Sequence, residues 1–134
     1  DNFLFSQLEN DVSSMILFKN DLYLGVMKNN KGSLWKKTND IVTLVYNFTD
    51  DDSFIRSVSL YKEKLYIGLQ NGKLYSFDGT TIELVSNFNQ NINLLFSDGR
   101  VLYIFLENLK DIKLFDGSNF YDNSNLNTYK LSLV

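Results

Sequence analysis

The chain repeats itself. Leu22-Tyr23-Leu24-Gly25 returns as Leu65-Tyr66-Ile67-Gly68 and again as Leu102-Tyr103-Ile104-Phe105. A second phrase follows each: Gly32-Ser33-Leu34-Trp35, then Gly72-Lys73-Leu74-Tyr75, then a degenerate Lys110-Asp111-Ile112-Lys113. The offsets are 43 and 37 positions for the first phrase, 40 and 38 for the second. A period of this size means that one supersecondary unit is copied along the chain. No copy can bury its apolar face without a neighbour.

The middle copy is the clearest. Residues 55–60 alternate with a period of two, which is the pattern of a half-buried strand. A turn at 61–64 leads into 65–69, a nearly continuous apolar strand of the kind covered on both faces. Asn71-Gly72 supplies the positive φ angles of a tight hairpin, and residues 73–77 make a third strand. Asp78-Gly79 turns the chain again into a fourth, 82–85. The first copy matches with 14–18, 22–27, 33–37 and 41–46, its connection at 28–32 being longer. The third gives 92–97, Asp98-Gly99, 101–106, 112–115 and Asp116-Gly117; its fourth strand is either 119–121 or 129–134. Alanine is absent while β-branched and aromatic residues abound, which disfavours helix.

Copies of about 40 residues with four short antiparallel strands each resemble the blades of a β-propeller. The phrases that carry the resemblance are Leu65-Tyr66-Ile67-Gly68, Gly72-Lys73-Leu74-Tyr75 and Phe77-Asp78-Gly79. The Trp-Asp ending of WD40 repeats and the double glycine of kelch repeats are missing, so the likeness is to a superfold, which transfers no function. The expected fold is all-β, with about three blades at roughly 11–50, 51–90 and 91–134. Counting back from the repeats assigns residues 1–10 to the last strand of a preceding blade. Closed propellers have about four to eight blades. Further copies, or the remainder of a longer chain, are therefore expected to complete the ring, two copies giving six blades.

Composition narrows the chemistry. The 134 residues contain no histidine and no cysteine, which removes thiolate and imidazole catalysis. Net charge is −3, the opposite of a nucleic-acid footprint, and Lys36-Lys37 is the one notable basic pair. The longest apolar run, residues 101–106, is far short of the ~20 residues of a membrane helix. Neither nucleic acid nor membrane insertion is expected. Proline is also absent and arginine is confined to Arg56 and Arg100, a bias that points to an AT-rich genome. The chain opens on Asp1, as a processed form or a piece of something longer would.

Remaining candidates weigh towards structure. The pairs at Asp78, Asp98 and Asp116 read as hairpin turns. Tyr23, Tyr66 and Tyr103 share one repeat position inside apolar strands, so burial between blades is expected; Trp35 and Tyr75, near strand ends, are expected to be partly exposed. Asp50-Asp51-Asp52 has the oxygen density of a Ca²⁺ site, but Ile55 stands where an EF-hand loop needs glycine. Solvated carboxylates are the expectation, with no metal, cofactor or catalytic residue. Binding residues favour loops on rigid scaffolds. The expected contact surface is one rim formed by 28–32, 47–53, 70–72, 87–91 and 107–110. Its candidate binding residues are Lys28, Asn30, Trp35, Asp50, Asp51, Asp52, Asn71, Tyr75, Asn89 and Glu107. The expected role is a non-catalytic recognition or adhesion module for a protein or surface glycan, on a virion such as a phage tail or on a cell surface. The alternatives are a structural assembly component and a carboxylate-based glycoside-acting enzyme.

Overall fold

The computed structural model of the chain describes residues 2–107 and 111–122. Among them are thirteen strands in three antiparallel sheets. The first blade runs β2 (Val12–Phe18), β3 (Asp21–Lys28), β4 (Lys31–Thr38) and β5 (Ile41–Asn47). The second runs β6 (Ile55–Tyr61), β7 (Lys64–Leu69), β8 (Lys73–Phe77) and β9 (Ile82–Asn87). The third runs β10 (Ile92–Ser97), β11 (Leu102–Leu106), β12 (Ile112–Phe115) and β13 (Phe120–Tyr121). Each is a meander, every strand pairing with the next. The all-β, blade-like architecture expected from the repeat is present. Of the alternatives for the last fourth strand, β13 is the first; residues 129–134 lie outside the described residues.

The N-terminal segment departs from expectation. β1 (Asn2–Leu4) is not the last strand of a preceding blade. It pairs antiparallel with β5, Leu4 opposite Ile41, as a fifth strand of the first sheet. Two 3-10 turns, Phe5–Gln7 and Glu9–Asp11, then bring the chain back to β2. The cause is a face that needs cover. Leu24, Val26, Trp35 and Val42 form a buried cluster on the outer face of the first blade, and Phe5 and Leu8 pack onto it. A second difference is the connection at 28–32. It is no long loop: β3 and β4 run to the tip, and Asn29 and Asn30 close a two-residue turn with φ of 53° and 65°.

Successive blades are joined by the same device twice. Phe18 and Tyr23 of the first blade meet Phe77 of the second, with ring centroids 5.4 to 6.0 Å apart. Tyr61 and Tyr66 of the second meet Phe115 of the third at 5.8 to 6.4 Å. These distances suit edge-to-face aromatic packing. Beside each triad is a glycine socket. A Cβ on Gly25 would lie 3.1 Å from Ile55 Cδ1, and one on Gly68 only 2.6 Å from Ile92 Cγ2. The first strand of the following blade thus packs directly on glycine backbone. Leu65, Ile67 and Leu69 fill the first interface; Leu102, Ile104 and Leu106 fill the second. On β11 Tyr103, expected to be buried between blades, is half-exposed together with Phe105 on the far side of the third blade.

Because the socket leaves no room, Gly68→Val should overpack the second interface at a cost of about 1–3 kcal/mol. Urea melts should show a lower midpoint than the parent's, and adding Ile92→Ala should recover part of the loss relative to additivity. A Gly68→Val protein as stable as the parent would contradict this blade contact.

Candidate functional site: a cleft beside the long-loop rim

The connections between blades and those between second and third strands share one rim, and a repeated hydrogen bond holds them. Phe48 N–H donates to the Gly32 carbonyl and Phe88 N–H to the Gly72 carbonyl, both at 2.9 Å. Asn47-Phe48 and Asn87-Phe88 are thus a third repeated phrase, at the same offset of 40 as Gly32 and Gly72, that the sequence reading passed over. Ser53, fully buried, reinforces the first linker: its hydroxyl donates to the Phe48 carbonyl at 3.3 Å and accepts from Gly32 N–H at 3.2 Å.

The acidic run belongs to this ridge. Asp52 accepts from Asn30 Nδ2 at 2.7 Å, and the Asp51 carbonyl accepts from Asn71 Nδ2 at 3.5 Å. Asp50 forms a short ion pair with Lys73, whose pKa is raised chiefly by that hydrogen bond. Asp50, Asp51, Asp52, Asn30 and Asn71 are therefore brought together, as rim residues that link the first blade to the second. Among the described residues, no group of His, Cys, Asp or Glu side chains is placed to hold a metal ion. Asn89 and Glu107 sit one junction further on; Asn91 Nδ2 donates to Glu107 Oε1 at 3.5 Å. Tyr75 is half-buried between blades, its ring 5.0 Å from that of Phe48, and burial raises its pKa.

Lys28 and Trp35 fall elsewhere, in a cleft of about 490 Å³ on the outer side of the first blade. Trp35 is not partly exposed as expected. It is 7 % exposed, with Phe3 of β1 against its ring at 5.4 Å and its indole N–H donated to Ser33 Oγ at 2.8 Å. The walls are apolar: Phe3, Leu8, Val26, Trp35 and Phe48. The mouth is polar: Lys28, Lys31, Ser33, Asn47, Thr49 and Gln7. Among the described residues, no carboxylate lines it. A shallower depression of similar volume on the opposite rim carries both signs, with Lys19 and Lys62 beside Glu63.

That opposite rim holds the Asp-Gly turns, and they are structural. Asp78 Oδ1 accepts from the Thr80 and Thr81 amides, Asp98 Oδ1 from Arg100 and Val101, and Asp116 Oδ1 from Ser118 and Asn119, all at 2.7 to 3.1 Å. Gly79, Gly99 and Gly117 follow with φ near +100°. Backbone N–H donors stabilise the ionised carboxylates and hold all three pKa values below the usual aspartate range.

No family model matches the chain, and no curated protein matches it. Solved structures do. The computationally designed Ika8 protein is similar over 80 % of this chain and 34 % of its own, with a TM-score of 0.59 and 13 % identity. The computationally designed Ika4 protein is similar over 78 % of this chain and 65 % of its own, with a TM-score of 0.57 and 14 % identity. The WD40 β-propeller domain of Doa1 is similar over 80 % of this chain and 38 % of that one, at 0.56 and 19 %. The fold is propeller-like. The chain spans between about a third and two thirds of the lengths of these structures.

The depressed aspartates have a consequence for pH. A carboxylate whose folded pKa lies below its unfolded value of about 3.9 contributes stability above that value and loses it as pH falls through the folded pKa. Melting temperature should therefore hold down to about pH 5 and fall below pH 4. A triple variant with Asp78, Asp98 and Asp116 each changed to Asn keeps an Asx-type acceptor and should show a shallower acid limb. Parallel acid limbs in parent and variant would mean that these turns do not carry the titration.

Proposed function

We propose that the chain is a non-catalytic recognition module that binds its partner beside the rim of the blade-to-blade connections, with the cleft on the outer side of the first blade as the principal site. The observation that carries this reading is the composition of the cleft. It pairs aromatic and aliphatic walls with polar groups, the usual makeup of a ligand pocket, built mainly on strands β1, β3, β4 and β5. Propeller-like folds serve as binding modules, which agrees with the reading without naming a ligand. Two acidic residues of the rim, Asp50 and Asp52, are held in cross-blade links with Lys73 and Asn30, an arrangement that favours binding over carboxylate catalysis. Display on a virion or cell surface, and independence from nucleic acid, are part of the same proposal.

Assembly is a second element, supported by the inner edge of the arc. β2, β6 and β10 lie side by side there. They leave Met15, Leu17, Leu60, Leu94 and Phe96 exposed, an apolar stripe that suits cover by further blades, from another copy or from more of the same chain.

The test uses immobilised glycan and peptide panels. Thr49→Trp fills the cleft without changing charge, and Glu63→Gln alters the opposite rim. The parent should bind one ligand class and release it chemically unchanged, as judged by mass spectrometry. Thr49→Trp should lose binding by roughly tenfold or more, equivalent to one well-packed contact, while Glu63→Gln should bind as the parent does. Binding untouched by Thr49→Trp, or turnover of the ligand, would refute the reading.

A further inference from the structure

Resting on the reading of this cleft as the binding site, we infer the class of its ligand: a pyranose sugar that carries a carboxylate. The charge comes first. Lys28 and Lys31 are direct partners across the β3–β4 tip, and such pairs stand on the same side of a sheet with Cβ atoms about 5 Å apart. Both are exposed, and among the described residues neither forms an ion pair. Of the neighbouring acidic residues, Asp50 pairs with Lys73 and Asp52 accepts from Asn30 at the same tip, and neither they nor Asp51 line the cleft. In a chain of net charge −3, a cleft with paired lysines at its mouth and, among the described residues, no carboxylate in its lining offers positive charge to a ligand.

The other groups at the mouth are arranged to donate. Ser33 Oγ already accepts the Trp35 indole N–H, which leaves its hydroxyl hydrogen to donate. Gln7 Oε1 already accepts the Leu4 amide at 2.8 Å, which leaves its NH₂. Asn47 and Thr49 add an amide and a hydroxyl. A donor-rich mouth calls for a ligand rich in acceptor oxygens. Behind it stand Phe3, Val26, Trp35 and Phe48, an apolar wall for the C–H face of a sugar ring. Inorganic phosphate would satisfy the lysines and leave that wall bare. A run of acidic residues would supply the charge but no ring to lie on that wall. A carboxylated pyranose meets both halves, and about 490 Å³ is room for such a ring with part of its neighbour.

The experiment is an NMR titration of the isotope-labelled full chain with methyl glucuronide, methyl glucoside, inorganic phosphate and tetraglutamate. Methyl glucuronide should shift the amides of residues 31–33 and 47–49 saturably. It should bind roughly tenfold more tightly than methyl glucoside, an advantage that one charge-assisted contact accounts for. A Lys28→Gln/Lys31→Gln variant, its fold verified by unchanged shifts in the second and third blades, should bind the two glycosides alike. The inference is overturned if the parent does not distinguish them, or if the double variant keeps the preference. It is equally overturned if phosphate or tetraglutamate binds the same amides more tightly than glucuronide. If no sugar binds but a panel ligand of another class is lost on Thr49→Trp, the recognition reading survives and the acidic-sugar inference falls. If nothing binds at the cleft, both fall.

Discussion

The aromatic triad between consecutive blades is the contact on which the rest of the molecule depends. Blades of this kind touch only their neighbours, so the stability of the arc is a sum of interface contributions. Each interface here joins two aromatics from one blade to a phenylalanine of the next, Phe18 and Tyr23 with Phe77, then Tyr61 and Tyr66 with Phe115. The glycine beside each tyrosine lets the following isoleucine sit against bare backbone. The turn lysines close the outside: Lys62 Nζ donates to the Asp116 carbonyl at 2.6 Å, and Lys19 lies against Gly79. Distances are too tight for a loose fit, and this explains why the repeat keeps its Tyr-x-Gly phrase where a blade follows. In the third copy the glycine is Phe105, and no described residues form a fourth blade against it.

The same phrase made the fold readable in sequence. Its tyrosine marked the aromatic lock, its glycine the socket, and its spacing the blade. The Asp-Gly pairs marked their turns because an ionised Asp that accepts backbone N–H groups followed by a residue at positive φ is a local device, complete within four residues. What stayed hidden was non-local. Counting by the repeat put residues 1–10 on another blade, because a register count assumes that the chain continues straight. Two 3-10 turns with neither glycine nor proline to announce them reverse it instead. The connection at 28–32 was misjudged for a related reason. Asn29 and Asn30 take the left-handed conformation without a glycine, so the hairpin lacked its usual marker.

The site was half visible for the same reason. Asp50, Asp52, Asn30 and Asn71 cluster where loop reasoning put them, since rim loops follow from strand order alone. Lys28 and Trp35 were identified, but as members of that rim. Their true companions, Lys31, Ser33, Asn47, Thr49 and Phe3, come from separate strands whose juxtaposition depends on pairing register and on β1. The signal that would have helped is the repeated Asn-Phe at 47–48 and 87–88, whose amides bind the glycine that opens each third strand.

The N-terminal segment both covers the first blade and shapes the cleft. Among the described residues no other blade packs on the outer face of the first, and Leu24, Val26, Trp35 and Val42 would be wet without cover. Phe3, Phe5 and Leu8 provide it as short segments rather than as a whole blade. A blade would fill the face completely. Short segments leave a gap, and that gap, walled by Phe3 and Leu8 on one side and by Trp35 and Phe48 on the other, is the cleft. The cover of this face by short segments therefore creates a cleft of its own, apart from the depression that spans the blade junctions on the opposite rim. The interior equivalents of Trp35 and Lys28 are Tyr75 and Asn71, one packed against Phe48 and the other bonded to the Asp51 carbonyl. The physical reason for a cleft at this position is thus the incompleteness of its cover.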